Sequence, residues 1–357
     1  MKILFVGGTF GDVPKQSGFL RKLAGQSCFM EDDFRVINGG SCVELATIAT
    51  STIVEYDTIV WMPKVDNSKS KLALENIKKI MPHATLVISK QNTDGKYSVH
   101  ALIARQLEVK ANMLIEFSRV NGKIAVSLLD PLGNIYLEKC TDIPTMAEKL
   151  SARLVKLKTC KRVHSYKNDG VTPAIPNNIM FFDIAKALAE RFHELVHLEN
   201  KDRFLGNLSF RCGAGFPSFR SKNYILVSRR DIDRRYIDPE GFVWVNSSRV
   251  DGVVGYYGQY KPSVDTPVQV LLYQMMPEVD YMIHSHVYIE GAPMTTVNLP
   301  CGALQEVDEI KPFINADTTN FAINLKGHGS IVFAQSLDYF GTIKYIARPI
   351  PEVQEVV

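Results

Sequence analysis

The sequence predicts an α/β protein in two domains. Three observations carry this reading. Short apolar runs alternate with longer amphipathic segments through the first part of the chain, a polar stretch containing Gly and Pro interrupts the pattern at 166–177, and 357 residues exceed the usual size of one domain. Strands that alternate with helices form a mostly parallel sheet covered on both faces, so residues 1–165 are read as a Rossmann-like or flavodoxin-like doubly wound domain. Residues 166–177 are read as a linker and 178–357 as a second domain.

In chain order, residues 3–6, 34–37, 58–62, 85–88 and 113–117 have the apolar character of strands, and 68–80 and 143–157 have the spacing of amphipathic helices. The first two strands run into Gly7-Gly8-Thr9-Phe10-Gly11 and Asn38-Gly39-Gly40-Ser41. These segments are expected at the carboxyl edge of the sheet, where α/β proteins commonly bind ligands. Two readings of the glycines stand: they let backbone amides approach a nucleotide or phosphate, or they serve tight strand-to-helix turns. The G-x-G-x-x-G fingerprint is absent. The string Gly7-Gly8-Thr9-Phe10 resembles the start of a nucleotidyltransferase signature, but the paired histidines of that signature do not follow it.

Composition narrows the classes of function. Apolar residues make up 46% of the chain and charged residues 22%, as in an ordinary globular protein. No stretch approaches the roughly 20 apolar residues of a membrane span, and the apolar run at the amino terminus is too short for a secretory signal, so cytoplasmic residence is expected. The six cysteines are scattered without a C-x-x-C pair, which suits reduced thiols. The net charge of +3 is spread over interleaved signs, which argues against nucleic acid as a partner.

One motif is a decoy. His193-Glu194-Leu195-Val196-His197 matches H-E-x-x-H, which on a helix holds zinc in metalloproteases. On a helix over 181–200, at about 100° per residue, Ile184, Leu188, Phe192 and Leu195 share one narrow sector. Both histidines fall opposite, among Asp183, Lys186, Glu190 and Glu194. They read as members of a solvated face, and the metzincin continuation fails at Asn200 and Arg203.

The chemistry lies further on. In Tyr281-Met282-Ile283-His284-Ser285-His286 alternate residues of a strand share a face, so the two histidines project together. A third histidine stands in Gly327-His328-Gly329, where the glycines leave room for a close approach. Three imidazoles with coordination positions left open suit a catalytic divalent metal, most often zinc.

With Leu205-Gly206-Asn207-Leu208-Ser209-Phe210-Arg211, a strand over 224–228 and Lys261-Pro262-Ser263-Val264-Asp265 preceding these histidines in order, the chain resembles the class II aldolase/adducin family from about residue 180 to 351. The resemblance implies an α/β/α domain and a zinc-dependent lyase of the aldolase type, acting on a sugar phosphate or related hydroxy-carbonyl compound through a metal-stabilised enediolate. It also implies Zn2+ or another divalent metal on His284, His286 and His328. Epimerisation, dehydration, decarboxylation or an adducin-like binding role are the alternatives within the same fold.

The same resemblance places a carboxylate at Asp265 for proton transfer, where the aldolases carry a glutamate, and candidate phosphate ligands at Asn207, Ser209 and Ser263. Val264 replaces a serine of the family motif. The family's T-P-x-G turn is replaced by Ser228-Arg229-Arg230-Asp231, from which Arg230 is taken as an anion ligand, while Arg234 and Arg235 are read as a surface cluster neutralised by its own aspartates. Glu306 is a second acid/base candidate, Tyr339 or Tyr345 a candidate acid for the leaving group, and Cys301 could in principle ligate zinc, although a buried structural thiol is the more common outcome. The expected partner is a small phosphorylated sugar, and a homo-oligomer, a tetramer by family precedent, is expected.

Overall fold

Runs such as Ile3-Leu4-Phe5-Val6 have no polar face to offer water and fold as strands buried on both sides. The computed structural model describes residues 1–52, 55–163, 165–171, 173–196, 206–215, 221, 223–248 and 253–354. These divide into two compact units, Met1–Thr159 with Ile350–Val357, and Cys160–Pro349.

The first unit contains β1 (Lys2–Phe10), α1 (Gly18–Ala24), β2 (Asp33–Gly40), α2 (Cys42–Thr47), β3 (Thr58–Lys64), α3 (Asn67–Ile80), β4 (Thr85–Gln91), α4 (Val99–Glu108), β5 (Met113–Val120), β6 (Lys123–Leu129), β7 (Asn134–Cys140) and α5 (Ile143–Thr159). Its sheet has the order β2-β1-β3-β4-β5 in parallel, followed by antiparallel β6 and β7. This is a doubly wound, flavodoxin-like arrangement. Leu4 and Val6 join a core with Leu74, Ile77 and Leu102 from α3 and α4. Ile3 and Phe5 join the opposite core with Leu20, Leu23, Met146 and Leu150 from α1 and α5.

The glycine-rich ends of β1 and β2 pack closely on each other and on Lys15. Gly8 and Gly39 have φ of +81° and +80°. A Cβ on Gly8 would lie 2.6 Å from the Gly39 nitrogen and 2.7 Å from the Lys15 carbonyl, and one on Gly39 would lie 2.9 Å from that carbonyl. The chain's close approach to itself requires glycine at both positions.

The second unit contains β8 (Ser165–Asn168), α6 (Ile179–Val196), β9 (Asn207–Arg211), β10 (Tyr224–Ser228), β11 (Phe242–Asn246), β12 (Val253–Tyr257), α7 (Thr266–Met275), β13 (Tyr281–Ser285), β14 (Tyr288–Ile289), α8 (Gln305–Ile310), β15 (Asn320–Leu325), β16 (Gly329–Ala334) and β17 (Tyr345–Ile346). Its sheet runs β15-β16-β13-β9-β10-β11-β12-β8, antiparallel except for the last pair. Met282, Ile331 and Phe333 pack with Val268 and Leu272 of α7 and with Val307 and Ile310 of α8. Ile283, Leu208 and Val332, on the other face, pack with Phe181, Phe182 and Ala185 of α6. The unit is therefore an α/β/α sandwich.

Two segments fall outside the sequence-based boundaries. Ser165–Asn168, which runs from the last residue of the expected first domain into the expected linker, is a strand paired in parallel with β12. At the other end, β18 (Glu352–Val353) pairs with β7 in the sheet of the first unit. Both strands are short and polar, so neither gives a hydrophobic period from which it could be read. Among the described residues no helix is long and apolar enough to cross a membrane.

Candidate active site

β13 is the inner strand that carries the site, with β9 on one side and β16 on the other. His284 pairs with Asn207 of β9 and Ile331 of β16. His286 stands one residue beyond the strand's end. His328 lies in the turn between β15 and β16, which closes where Leu325 pairs with Gly329. The turn is held by Gly327, whose amide donates to the Tyr288 hydroxyl at 2.9 Å and whose carbonyl accepts from Arg348 Nη1 at 3.1 Å. The three imidazole centroids stand 4.7, 4.9 and 5.1 Å apart, and one ring nitrogen from each lies within 4.8 Å of the others.

Two glycines permit this approach. A Cβ on Gly206, whose φ is +88°, would sit 2.4 Å from the His284 carbonyl oxygen. One on Gly329 would sit 1.9 Å from the Ser285 carbonyl oxygen and 2.7 Å from the His286 Cα. Gly206→Ala is therefore expected to destabilise the second unit by on the order of 3 kcal/mol, combining a left-handed φ with a backbone clash. It should also loosen the histidine cluster. Urea unfolding checks the first effect, and an unchanged midpoint would contradict it.

The ring nitrogens are set by their surroundings. His284 Nδ1 is 2.9 Å from the Ser330 carbonyl, to which it donates, so Nε2 is left as the lone-pair nitrogen. His284 Nε2 and His286 Nδ1 are buried with no hydrogen-bond partner among the described residues. His328 Nδ1 is 3.0 Å from Glu306 Oε1, and its Nε2 is 3.2 Å from Cys301 Sγ.

Burial and the positive charge of His328 hold His284 down to a pKa of about 4, and burial with the other two imidazoles holds His286 well below the usual range. For His328 burial opposes protonation, but Cys301 and Glu306 outweigh it and raise its pKa well above the ordinary imidazole value. His284 and His286 are thus neutral at pH 7, and the proton of the cluster resides on His328. A cation bound there has to displace that proton. Its affinity is therefore expected to rise with pH. Competition with a chelator reads the slope, and an affinity independent of pH would contradict it.

Asp265 precedes α7 as its N-cap without capping it through its side chain. Its Oδ2 accepts from Asn207 Nδ2 at 3.1 Å, while its Oδ1 is buried without a partner among the described residues. Asp265, Cys301 and His328 form a second group whose donor atoms lie within 4.8 Å of one another. Asn207 also accepts from Gln269 Nε2, so both ends of its amide are engaged inside the site.

Sequence reasoning and geometry differ at several residues. Glu306, expected to move a proton on the substrate, sits 3% exposed behind His328 and orients its ring. Ser209, expected on an anion, is fully buried one pleat away from Asn207 and shares a hydrogen bond with the Tyr273 hydroxyl at 3.2 Å. Tyr339 packs against the cluster containing Ile283, the sheet face opposite His284, and Tyr345 belongs to the same cluster. Ser263 is 7% exposed, its amide donating to the Ser228 carbonyl and its own carbonyl accepting from Thr266 Oγ1. Arg230 donates to the Pro262 carbonyl at 2.8 Å and stacks on the Tyr166 ring.

Arg234, read as a surface residue, is only 8% exposed. Burial lowers its pKa to about 10 while Asp265, Asp231 and Asp233 act to raise it, so it stays charged at neutral pH. Arg235 pairs with Asp233 at 2.6 Å, as the sequence suggested. Arg348, 5% exposed, escapes sequence reasoning entirely, because nothing in Ala347-Arg348-Pro349 marks it. Both buried arginines add positive charge around His286. In the decoy motif His193 and Glu194 are exposed on α6, and His197 lies outside the described residues.

An antiparallel sheet between helical layers, with three imidazoles and a buried carboxylate converging at the end of its central strands, defines an α/β/α domain with a donor set able to hold a divalent cation. Residues 186–290 match the family model of the class II aldolase and adducin N-terminal domain. The second unit therefore carries a class II aldolase/adducin domain.

Among solved structures the chain is similar to L-fuculose-1-phosphate aldolase from Thermus thermophilus, at 15% identity and a TM-score of 0.31 over 45% of this chain and 86% of that one. It is also similar to the N-terminal class II aldolase domain of a conserved protein from Thermoplasma acidophilum, at 14% identity and a TM-score of 0.33 over 48% and 90%. A third likeness is to the DNA/pantothenate metabolism flavoprotein from Streptococcus pneumoniae, at 12% identity and a TM-score of 0.36 over 44% and 99%. A search of curated proteins gave no match.

Proposed function

We propose that the protein is a zinc-dependent aldehyde-lyase that cleaves a phosphorylated sugar or related hydroxy-carbonyl compound, with His284, His286 and His328 as the metal ligands. The observation that carries this reading is the convergence of buried nitrogens without partners, His284 Nε2 and His286 Nδ1, on His328. Orphaned buried polar atoms cost free energy unless something satisfies them, and a cation bound by all three rings does so.

When bound, the ion would polarise the carbonyl and hydroxyl oxygens of the substrate and stabilise the negative charge that develops as a bond breaks. The remaining work falls to the chain's own groups. Asp265, oriented through Oδ2 by Asn207, has Oδ1 free to take the proton of the substrate hydroxyl and to return it to the carbon released by cleavage. Glu306 holds the His328 ring and so keeps its metal-facing nitrogen in place. Arg234 and Arg348 supply fixed positive charge that favours an anionic substrate. A homo-oligomer, by family precedent a tetramer, belongs to the same proposal.

The test is to load the full chain with zinc, incubate it with a panel of ketose phosphates and measure released aldehyde. Cleavage of at least one member, abolished by chelation, is expected. Stoichiometric zinc with no aldehyde from any member would overturn the lyase assignment.

A further inference from the structure

We infer that Cys301 is itself a metal ligand, which makes the site a mixed imidazole–thiolate centre suited to zinc or another thiophilic cation rather than magnesium or manganese. This rests on the metal reading above. His328 belongs to two overlapping donor groups, one with His284 and His286 and the other with Asp265 and Cys301. His328 is thus the donor common to both groups, and its Nε2 is the atom that meets Cys301.

The Cys301–His328 pair already has the spacing of donors on one ion. Cys301 Sγ lies 3.2 Å from His328 Nε2. Zinc–sulfur and zinc–nitrogen bonds of about 2.3 and 2.0 Å at a tetrahedral angle put adjacent donors about 3.5 Å apart. Asp265, 9% exposed and with its Oδ1 unpartnered among the described residues, belongs to the same group.

The chain also fixes the thiol there. Gly302, with φ +73°, presses its turn against the segment leading into Asp265, where a Cβ would meet the Val264 carbonyl at 3.0 Å. Ala303 donates back to the Pro300 carbonyl, and its side chain packs with Leu299. On metal binding the Cys301 thiol releases its proton to solvent and its sulfur lone pair enters the coordination shell. Thiolate in the shell selects for soft and borderline cations.

Cobalt(II) substitution of the full-length protein tests this without reference to activity. The expected spectrum has an intense near-ultraviolet thiolate-to-cobalt charge-transfer band alongside the visible d–d bands. In Cys301→Ser the charge-transfer band should vanish and zinc affinity should fall by at least the roughly 10- to 100-fold that loss of an outer-shell partner costs. Manganese affinity should change far less. In the wild type, which needs no variant to fold, bound zinc should protect Cys301 from iodoacetamide.

Visible bands without the charge-transfer band would overturn the inference, as would a band that persists in the variant. Absence of any cobalt or zinc binding would overturn the metal reading beneath it, so the two failures are distinguishable.

Discussion

Replacing His286 with alanine is expected to lower zinc affinity by about 10²- to 10³-fold while leaving the fold intact. A full tetrahedral site is worth roughly 10–16 kcal/mol, and one donor of four carries about a quarter of that. His286 stands just past the end of β13, outside the strand ladder, so its side chain contributes little to sheet pairing. Its Nδ1 has no other partner among the described residues. Removing the ring therefore takes away a donor without breaking a hydrogen bond on which the fold depends. Competition with a fluorescent chelator gives the affinity and circular dichroism reports the fold. Unchanged zinc binding would remove His286 from the ligand set and leave its orphaned nitrogen unexplained.

The second large effect is expected at Asp265. Asp265→Asn keeps the shape and an acceptor oxygen but removes the charge and the ability to hold a proton. General acid–base groups contribute about 10²- to 10⁴-fold, and kcat should fall by that factor with KM little changed. Zinc content should remain stoichiometric, since the three imidazoles persist. Rate measurements on the best substrate of the ketose phosphate panel, paired with metal analysis, separate the two roles. A variant that loses metal in proportion to activity would make Asp265 primarily a ligand, and one that retains full activity would remove it from the chemistry.

Much of the fold is legible in the sequence, for identifiable reasons. Four of the five parallel strands of the first unit, β1, β3, β4 and β5, are readable because strands buried on both faces are nearly continuous apolar runs, as in Ile3-Leu4-Phe5-Val6. Strand β6 pairs with β5 and β7 pairs with β6, both antiparallel and without helical crossovers, so the alternating pattern gives them no place. The histidines are legible because strand periodicity puts 284 and 286 together and the glycines at 327 and 329 announce a close approach.

The charged residues are harder. Arg230 and Arg234 stand four apart in one Arg/Asp-rich stretch, and local pattern cannot tell which is buried. The answer lies in the tertiary structure, with Arg230 on Tyr166 and Pro262 and Arg234 buried within the field of Asp265. Glu306 stands out in the sequence as a candidate, but only the fold shows that it meets His328 from behind. Cys301 reads as structural because an isolated thiol usually is, and its neighbour His328 is 27 residues away in sequence.

The central claim, that three imidazoles form a metal centre, is tested most directly by crystallising the purified full-length protein and recording anomalous diffraction on both sides of the zinc edge. The account predicts one strong anomalous peak enclosed by His284, His286 and His328, within bonding distance of a nitrogen of each. A zinc-supplemented crystal with no peak there, or with its peak elsewhere, would contradict it.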